Sequence, residues 1–252
     1  MRLNLIVAGQ GPVVVLLHGL FGAAGNWGSI QKALAARYRV LALDLRNHGA
    51  SPHAAAMDQG SMAADVAETL VAEGASPAAI IGHSLGGKVA MALAQAHPEM
   101  VLRLLVADIA PVAYPPSLRG YVAAMQGLPL TPGLTRRDAD AALAEAVPEA
   151  GIRAFLLQNL RFDLPVPAWR FGLDEIAAAM PALEAAPPPG PPYSGPVLAV
   201  CGARSPYVGE EHHAVFRALF PAVSFTSLPT GHWVHAEDPK GFLAVAEAFL
   251  EG

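Results

Sequence analysis

The chain alternates between unbroken apolar runs and stretches in which apolar residues recur every three or four positions. Pro12 to Leu17, Arg39 to Leu43, Ala78 to Ile81 and Leu102 to Ala107 are continuous runs rich in Val, Ile, Leu and Ala, the first ending at His18-Gly19 and the second at Asp44. Runs of that length without polar alternation predict strands buried on both faces. Between them, Ser29 to Arg37 places Ile30, Ala33 and Leu34 on one side of a helix, and Ser61 to Glu73 does the same with Met62, Val66, Leu70 and Val71. Gly87 to Ala96 reads as a third helix, and Met1 to Ala8 as a first strand entering the turn Gly9-Gln10-Gly11-Pro12. Alternation of this kind predicts an α/β fold, a parallel sheet covered by helices on both faces.

The rhythm breaks from about Pro111 to Pro192, where helical segments such as Ala139 to Ala146 and Gly151 to Leu160 follow one another without a convincing strand. That region ends in Pro187-Pro188-Pro189-Gly190-Pro191-Pro192, a stiff linker in composition. Strand and helix then resume with Val197 to Cys201, Glu211 to Leu219, Val223 to Leu228 and a last helix, Pro239 to Leu250. The expected organisation is a core of residues 1–110 and 193–252 interrupted by a helical cap, 111–192. Such a cap would cover the sheet edge where ligands bind in open α/β folds, and would set substrate choice and water access.

Composition narrows the class further. At 252 residues, 53% apolar and 15% charged, the chain can bury a substantial core. A formal charge of -5, with 16 scattered basic residues and no Lys/Arg block, argues against nucleic acid or anionic lipid as a partner. No stretch is long and apolar enough to suggest a membrane span, and the N-terminal segment is too short for a signal h-region. The lone cysteine, Cys201, has no partner for an internal disulfide and reads as a buried, inert thiol in a reducing, cytoplasmic compartment. A monomer and a weak homodimer fit equally well. Adjacent His212-His213 diverge on a helix, so no metal is expected, and Gly86-Gly87-Lys88-Val89 lacks the spacing of a phosphate loop, so no cofactor is expected.

The candidate chemistry centres on Gly82-His83-Ser84-Leu85-Gly86, which lies between an apolar run and a helix. The bare pattern is weak, and its placement gives it force. A serine on a sharp strand-to-helix turn carries its hydroxyl at the tip, and glycine-sized neighbours two residues either side let the backbone approach. The Leu85 amide would then sit at a helix N-terminus, placed to hold an oxyanion. A serine hydroxyl needs a base, and the base needs an orienting group. His232, after the last strand, is the candidate base; His235, read as a surface or cap-facing histidine, competes with it.

These features together resemble the α/β-hydrolase superfamily. Six blocks, His18 to Gly22, Asp44 to Pro52, Gly82 to Lys88, Asp108 to Pro111, Ser205 to Val208 and Gly231 to Glu237, are similar in order and content to the YbfF-type bacterial acyl esterases and their ABHD11-like animal relatives. The resemblance implies an α/β-hydrolase fold with a cap after the sixth strand, and an acyl-enzyme mechanism on small to medium acyl esters. Many members carry an acid a few residues after the strand that here is Val197 to Cys201, but this chain offers Ser205 there. The YbfF-type pattern places its acid after the strand Leu102 to Ala107, which implies Asp108; Glu210 and Glu211 remain as alternatives that more simply start a helix. Ser205 is expected to hydrogen-bond Asp108 or the histidine, and is grouped with the substrate-contacting residues.

The resemblance further implies a second oxyanion donor in the Leu20 amide, with the Phe21 amide as fallback and Phe21 and Trp233 as pocket walls. His18 reads as a buried ring satisfied by backbone groups, and Asp44, Arg46, His48 and Ser51 as a structural loop in which Gly49 supplies a permissive φ. A serine nucleophile excludes the dehalogenase and epoxide hydrolase branches, which use an aspartate there. An acyl thioesterase is the near alternative, a C–C bond hydrolase a remoter one, and a non-turnover ligand receptor the alternative of a different class. The cap's Tyr114, Tyr121, Met125, Phe155, Leu156, Phe162, Trp169 and Phe171 supply enough apolar surface for an acyl chain.

Overall fold

The computed structural model describes all residues, Met1–Gly252. Its elements run β1 (Leu5–Ala8), β2 (Val13–Leu17), α1 (Gly28–Leu34), β3 (Arg39–Leu43), α2 (Gln59–Ala72), β4 (Ala78–His83), α3 (Leu85–Ala96) and β5 (Val101–Ala107). An inserted segment follows with α4 (Arg119–Gly127), α5 (Arg136–Leu143), α6 (Ala150–Leu156), β6 (Leu160–Arg161), β7 (Ala168–Trp169) and α7 (Leu173–Glu184). The chain ends with β8 (Val197–Gly202), α8 (His213–Leu219), β9 (Val223–Leu228), α9 (Val234–Glu237) and α10 (Pro239–Glu251).

Seven strands form one sheet in the order β1-β3-β2-β4-β5-β8-β9, all parallel except β1, which pairs antiparallel with β3 at one edge. The unbroken apolar runs explain why it is covered on both sides. Along β2, Val15 and Leu17 face a cluster that includes Met62, Val66 and Leu70 of α2 and Val89 and Leu93 of α3. Val14 and Leu16 face the other cluster, with Ile30 and Leu34 of α1 and Phe242 and Ala246 of α10. Successive side chains of a strand point to opposite faces, so a run buried throughout must carry apolar residues at every position.

The expected fold class holds, with local departures. The insertion follows the fifth strand of this chain, not a sixth. It also contains a short two-stranded ladder, Leu160 against Trp169 and Arg161 against Ala168, where the pattern showed no strand; two residues are too few for alternation to register. α5 starts three residues before the expected Ala139, because Thr135 accepts from the Asp138 N–H and Asp138 reaches back. A similar cap, Asp58 accepting from the Ser61 N–H, starts α2 at Gln59.

The returning end of the insertion is tied to the core through backbone carbonyls. Gln59 Nε2 donates to the carbonyls of Ala182, Leu183 and Ala185 (2.9, 3.2 and 3.2 Å). Lys88 Nζ donates to those of Leu183, Glu184 and Ala185 (3.3, 3.2 and 2.6 Å). The last carbonyls of a helix lack partners within it, and a cation at that end also meets the negative pole of the dipole. Burial pushes the Lys88 ammonium down to about 8, the Glu184 carboxylate opposing the shift. No helix is long and apolar enough to cross a membrane.

Candidate active site

Because their strands are parallel, the residues that follow β4, β5, β8 and β9 all emerge at one edge of the sheet, and these four strands are consecutive neighbours. Ser84 follows β4, Asp108 follows β5, Ser205 lies in the turn after β8 and His232 comes after β9. That topology brings together positions separated by as many as 148 residues in sequence, the distance from 84 to 232.

The turn at Ser84 is strained. Ser84 has φ 51° and ψ -118°, and α3 begins at the next residue. A Cβ on Gly82 would lie 2.3 Å from the Gly86 carbonyl oxygen, and one on Gly86 would lie 2.3 Å from that of Leu17. Both glycines are therefore steric requirements of the turn. Only four non-glycine residues have positive φ: Phe21, Asn47, Ser84 and Asp108. Such conformations cost about 1–3 kcal/mol each and persist where the surroundings enforce them. Three of the four belong to the residues singled out as nucleophile, acid and oxyanion turn.

Asp108 is 1% exposed, and its carboxylate is fully partnered. Oδ1 accepts from the Gly202 N–H (2.8 Å), while Oδ2 accepts from the Ser205 hydroxyl and faces His232 Nδ1 at 2.8 Å. With Nδ1 donating to a carboxylate, His232 presents Nε2 as an acceptor. The Ser84 hydroxyl makes no hydrogen bond of its own and borders a narrow cavity of ≈ 60 Å³, whose wall includes Leu20, Leu85, Ile109, Leu118, Met180 and Leu183. A larger groove of ≈ 380 Å³, walled by Trp169, Phe171 and Asp174 among others, contains none of these residues.

Near the end of β2, the Phe21 N–H donates to His48 Nε2 (3.2 Å), and the Phe21 carbonyl accepts from Asn159 Nδ2 (2.7 Å). The fallback amide is thereby occupied, whereas neither the Leu20 nor the Leu85 N–H takes part in any turn, loop or cap hydrogen bond. His18 Nε2 accepts from the Leu45 N–H (3.0 Å) and its Nδ1 reaches the Gly19 carbonyl (2.8 Å). Asp44 accepts from the amides of Ala24 and Ala50 (2.7 and 2.8 Å), and Arg46 Nε donates to Asp65 (2.5 Å), so the polar loop is occupied with backbone and buried partners.

Of Phe21, Trp233 and Ser205, expected to touch substrate, none lies in the wall of the Ser84 cavity, whereas Tyr114 from the cap's aromatic set does. Phe21 is buried against Phe171 (5.9 Å between ring centres), Trp233 lies 5.8 Å from the His232 ring, and Ser205 is turned toward Asp108. His235 is not at the surface either. It is buried, stacked on Trp27 at 4.2 Å, with Nδ1 unpartnered, because the short helix α9 turns it under the sheet edge. Residues the sequence did not single out also converge here. His83 Nε2 donates to the His232 carbonyl (2.9 Å), and Tyr207 lies face to face with the His232 ring at 4.1 Å. The position of His83 beside Ser84 and that of Tyr207 within the block Ser205 to Val208 were usable signals, though neither gave its residue a role.

Burial holds several of these rings neutral. His48 is pushed down to about 3 and His235 to about 4, both chiefly by burial, and His18 and His83 move the same way for the same reason. Each folded value lies below the ordinary histidine value of 6.5, so the folded chain binds fewer protons than the unfolded one in that window. The stability they allow is complete above pH 6.5 and is lost as pH falls toward 4. Urea unfolding should show a slope steepening by about 1.4 kcal/mol per pH unit for each such histidine. His235→Phe is expected to flatten that slope; a slope identical to wild type would contradict it.

A family model described as the alpha/beta hydrolase fold matches residues 12–239. The sn-1-specific diacylglycerol lipase ABHD11 of Mus musculus is 40% identical over 253 residues, covering 95% of this chain and 81% of the relative. Esterase YbfF of Escherichia coli is 34% identical over 248 residues, covering 94% and 92%. A solved structure described as a marine microorganism esterase superposes with a TM-score of 0.95 at 32% identity, covering 98% of this chain and 99% of that one. Strand order, strained serine turn and sequence likeness along nearly the whole length agree, and the chain belongs to the α/β-hydrolase family.

Proposed function

We propose that the protein is a serine hydrolase of carboxylic esters that works through an acyl-enzyme. In this reading Ser84 attacks the ester carbonyl and His232 Nε2 takes its proton and returns it to the leaving alcohol. Asp108 holds His232 in the tautomer that makes this possible, and the Leu20 and Leu85 amides hold the oxyanion. The observation that carries the reading is the Asp108–His232 contact at 2.8 Å, formed by a buried carboxylate at the same sheet edge as a strained serine. The absence of a hydrogen bond on the Ser84 hydroxyl is compatible with it, since catalytic contacts often close only with substrate bound. The esterase and lipase names of the relatives agree with the reaction class. Ser205 serves here as a second donor to Asp108 in place of a substrate contact, and the insertion between β5 and β8 acts as the cap.

The cavity beside Ser84 suggests the acyl group. A space of ≈ 60 Å³ bounded by Leu118, Met180 and Leu183 suits a short acyl chain. On p-nitrophenyl esters kcat/KM is expected to fall by at least about tenfold from butyrate to palmitate, since methylenes that do not fit cost about 1–3 kcal/mol each in a pocket. Met180→Ala should move the optimum to longer chains. Preference for palmitate in the unaltered protein would refute the short-chain assignment. The same panel with acyl-CoA thioesters separates ester from thioester hydrolysis, and a single stoichiometric burst without turnover would sink the enzyme reading altogether.

A further inference from the structure

Three contacts fix His232. Asp108 faces Nδ1, His83 Nε2 donates to the main-chain carbonyl, and the ring of Tyr207 covers one face, the two planes inclined by 24° at 4.1 Å. Tyr207 is itself held through both its backbone groups, and the residue that holds its carbonyl is anchored in turn. Its N–H donates to Ser205 Oγ (3.3 Å), its carbonyl accepts from Tyr114 Oη (2.5 Å), and Tyr114 Oη accepts from the Ala110 N–H (2.8 Å). Tyr114 lies at the start of the inserted segment, where its N–H donates to the Glu184 carbonyl (2.9 Å) at the segment's far end. The stacked geometry at His232 is therefore built by both stems of the insertion as well as by the turn after β8.

A neutral imidazole gains modest dispersion from such a face. An imidazolium gains in addition the attraction of a cation for the negative face of an aromatic ring, which grows as water is excluded, and the His232 side chain is only 18% exposed. The gain therefore arises when Ser84 surrenders its proton and not before, which is the condition for accelerating the step. We propose that Tyr207 is a positioning residue for His232, its ring face fixing the imidazole and stabilising the imidazolium formed as Ser84 attacks. The proposal rests on His232 being the general base. The other groups facing His232 are Asp108 at the end of β5, His83 at the end of β4, Ser205 in the turn after β8 and His235 on α9. His83 and His235 are kept neutral by burial, so neither adds a charge change near neutrality.

The test compares Tyr207→Phe, which keeps the ring, with Tyr207→Leu, which keeps bulk without a π face. On p-nitrophenyl butyrate, Tyr207→Phe is expected to stay within about twofold of wild type, and Tyr207→Leu to lose roughly tenfold in kcat; because Tyr207 also lines the cavity beside Ser84, kcat and not KM carries the test. The acid limb of its pH profile should move down by about half a unit. Tyr207→Met takes the same test if the leucine variant does not fold. Independently of turnover, the His232 ring proton can be titrated by NMR in Ser84→Ala and in Ser84→Ala/Tyr207→Leu, where the second should titrate at lower pH. A titration that is unmoved or moves upward overturns the proposal, as does a phenylalanine variant that falls as far as leucine. Persistent turnover in Ser84→Ala alone would instead overturn the serine-hydrolase reading, so the two failures are distinguishable.

Discussion

Ser84→Ala, or His232→Ala, is expected to lower kcat on p-nitrophenyl butyrate by about 10⁴ to 10⁶ while leaving the fold intact. The side chains act as one unit. Without the hydroxyl no acyl-enzyme forms, and without the imidazole the hydroxyl is too weak a nucleophile at neutral pH. The double variant should accordingly be no worse than either single one, and a further multiplicative loss would mean that the two residues serve separate steps. What remains should be the contribution of oxyanion donors and binding, on the order of 10³ over water. Alanine inherits the φ of 51° at position 84 without a new penalty, and the serine hydroxyl has no hydrogen bond to lose, so urea unfolding of Ser84→Ala should match wild type. Activity within tenfold of wild type would remove Ser84 as nucleophile.

Asp108→Asn should cost roughly 10⁴ in kcat, for a reason that lies in hydrogen-bond direction more than in charge. The carboxylate receives three donors: the Gly202 N–H on one oxygen, the Ser205 hydroxyl and His232 Nδ1 on the other. An amide of the same shape has only one acceptor atom. If its nitrogen faces His232, the histidine must turn Nδ1 into an acceptor and carry its proton on Nε2, where it can no longer accept from Ser84. If the nitrogen faces Gly202 instead, two donors meet at 2.8 Å in a site that is 1% exposed, and the loss appears as instability. Measuring kcat and urea stability together separates the two outcomes, and both differ from a neutral result. A variant near wild type in both would transfer the role of acid to another residue, Glu210 or Glu211 being the nearest carboxylates in sequence beyond Ser205.

Local rules carried the reading of this chain far. Continuous apolar runs require burial on both faces, which is what β2 meets in the two clusters that sandwich it. The glycines at 82 and 86 are demanded by a turn too tight for any Cβ, a requirement confined to five consecutive residues and so visible in the sequence. α2 and α5 start two and three residues before the positions that periodicity predicts, at the caps Asp58 and Thr135, since a cap is one residue and carries no period.

Contacts between distant segments were another matter. His232 and Asp108 are 124 positions apart, and their meeting follows from β5, β8 and β9 lying side by side and parallel. The place of Asp108 directly after an apolar strand run, together with the resemblance, pointed to it; no spacing could. For Ser205 the sequence left a hydrogen bond to Asp108, one to the histidine and a substrate contact all open, and the placement of its turn beside β5 directs its hydroxyl to the carboxylate. Likewise His235, polar and two residues before Glu237, gave no sign that a helical turn would carry it beneath Trp27. By itself, then, the sequence determined the class of fold and the strained serine turn, because steric demands and burial periodicity act over neighbouring residues. Strand order and packing decided which carboxylate, hydroxyl and aromatic face surround His232, because those are contacts between segments that only the assembled sheet brings within hydrogen-bond and stacking distance.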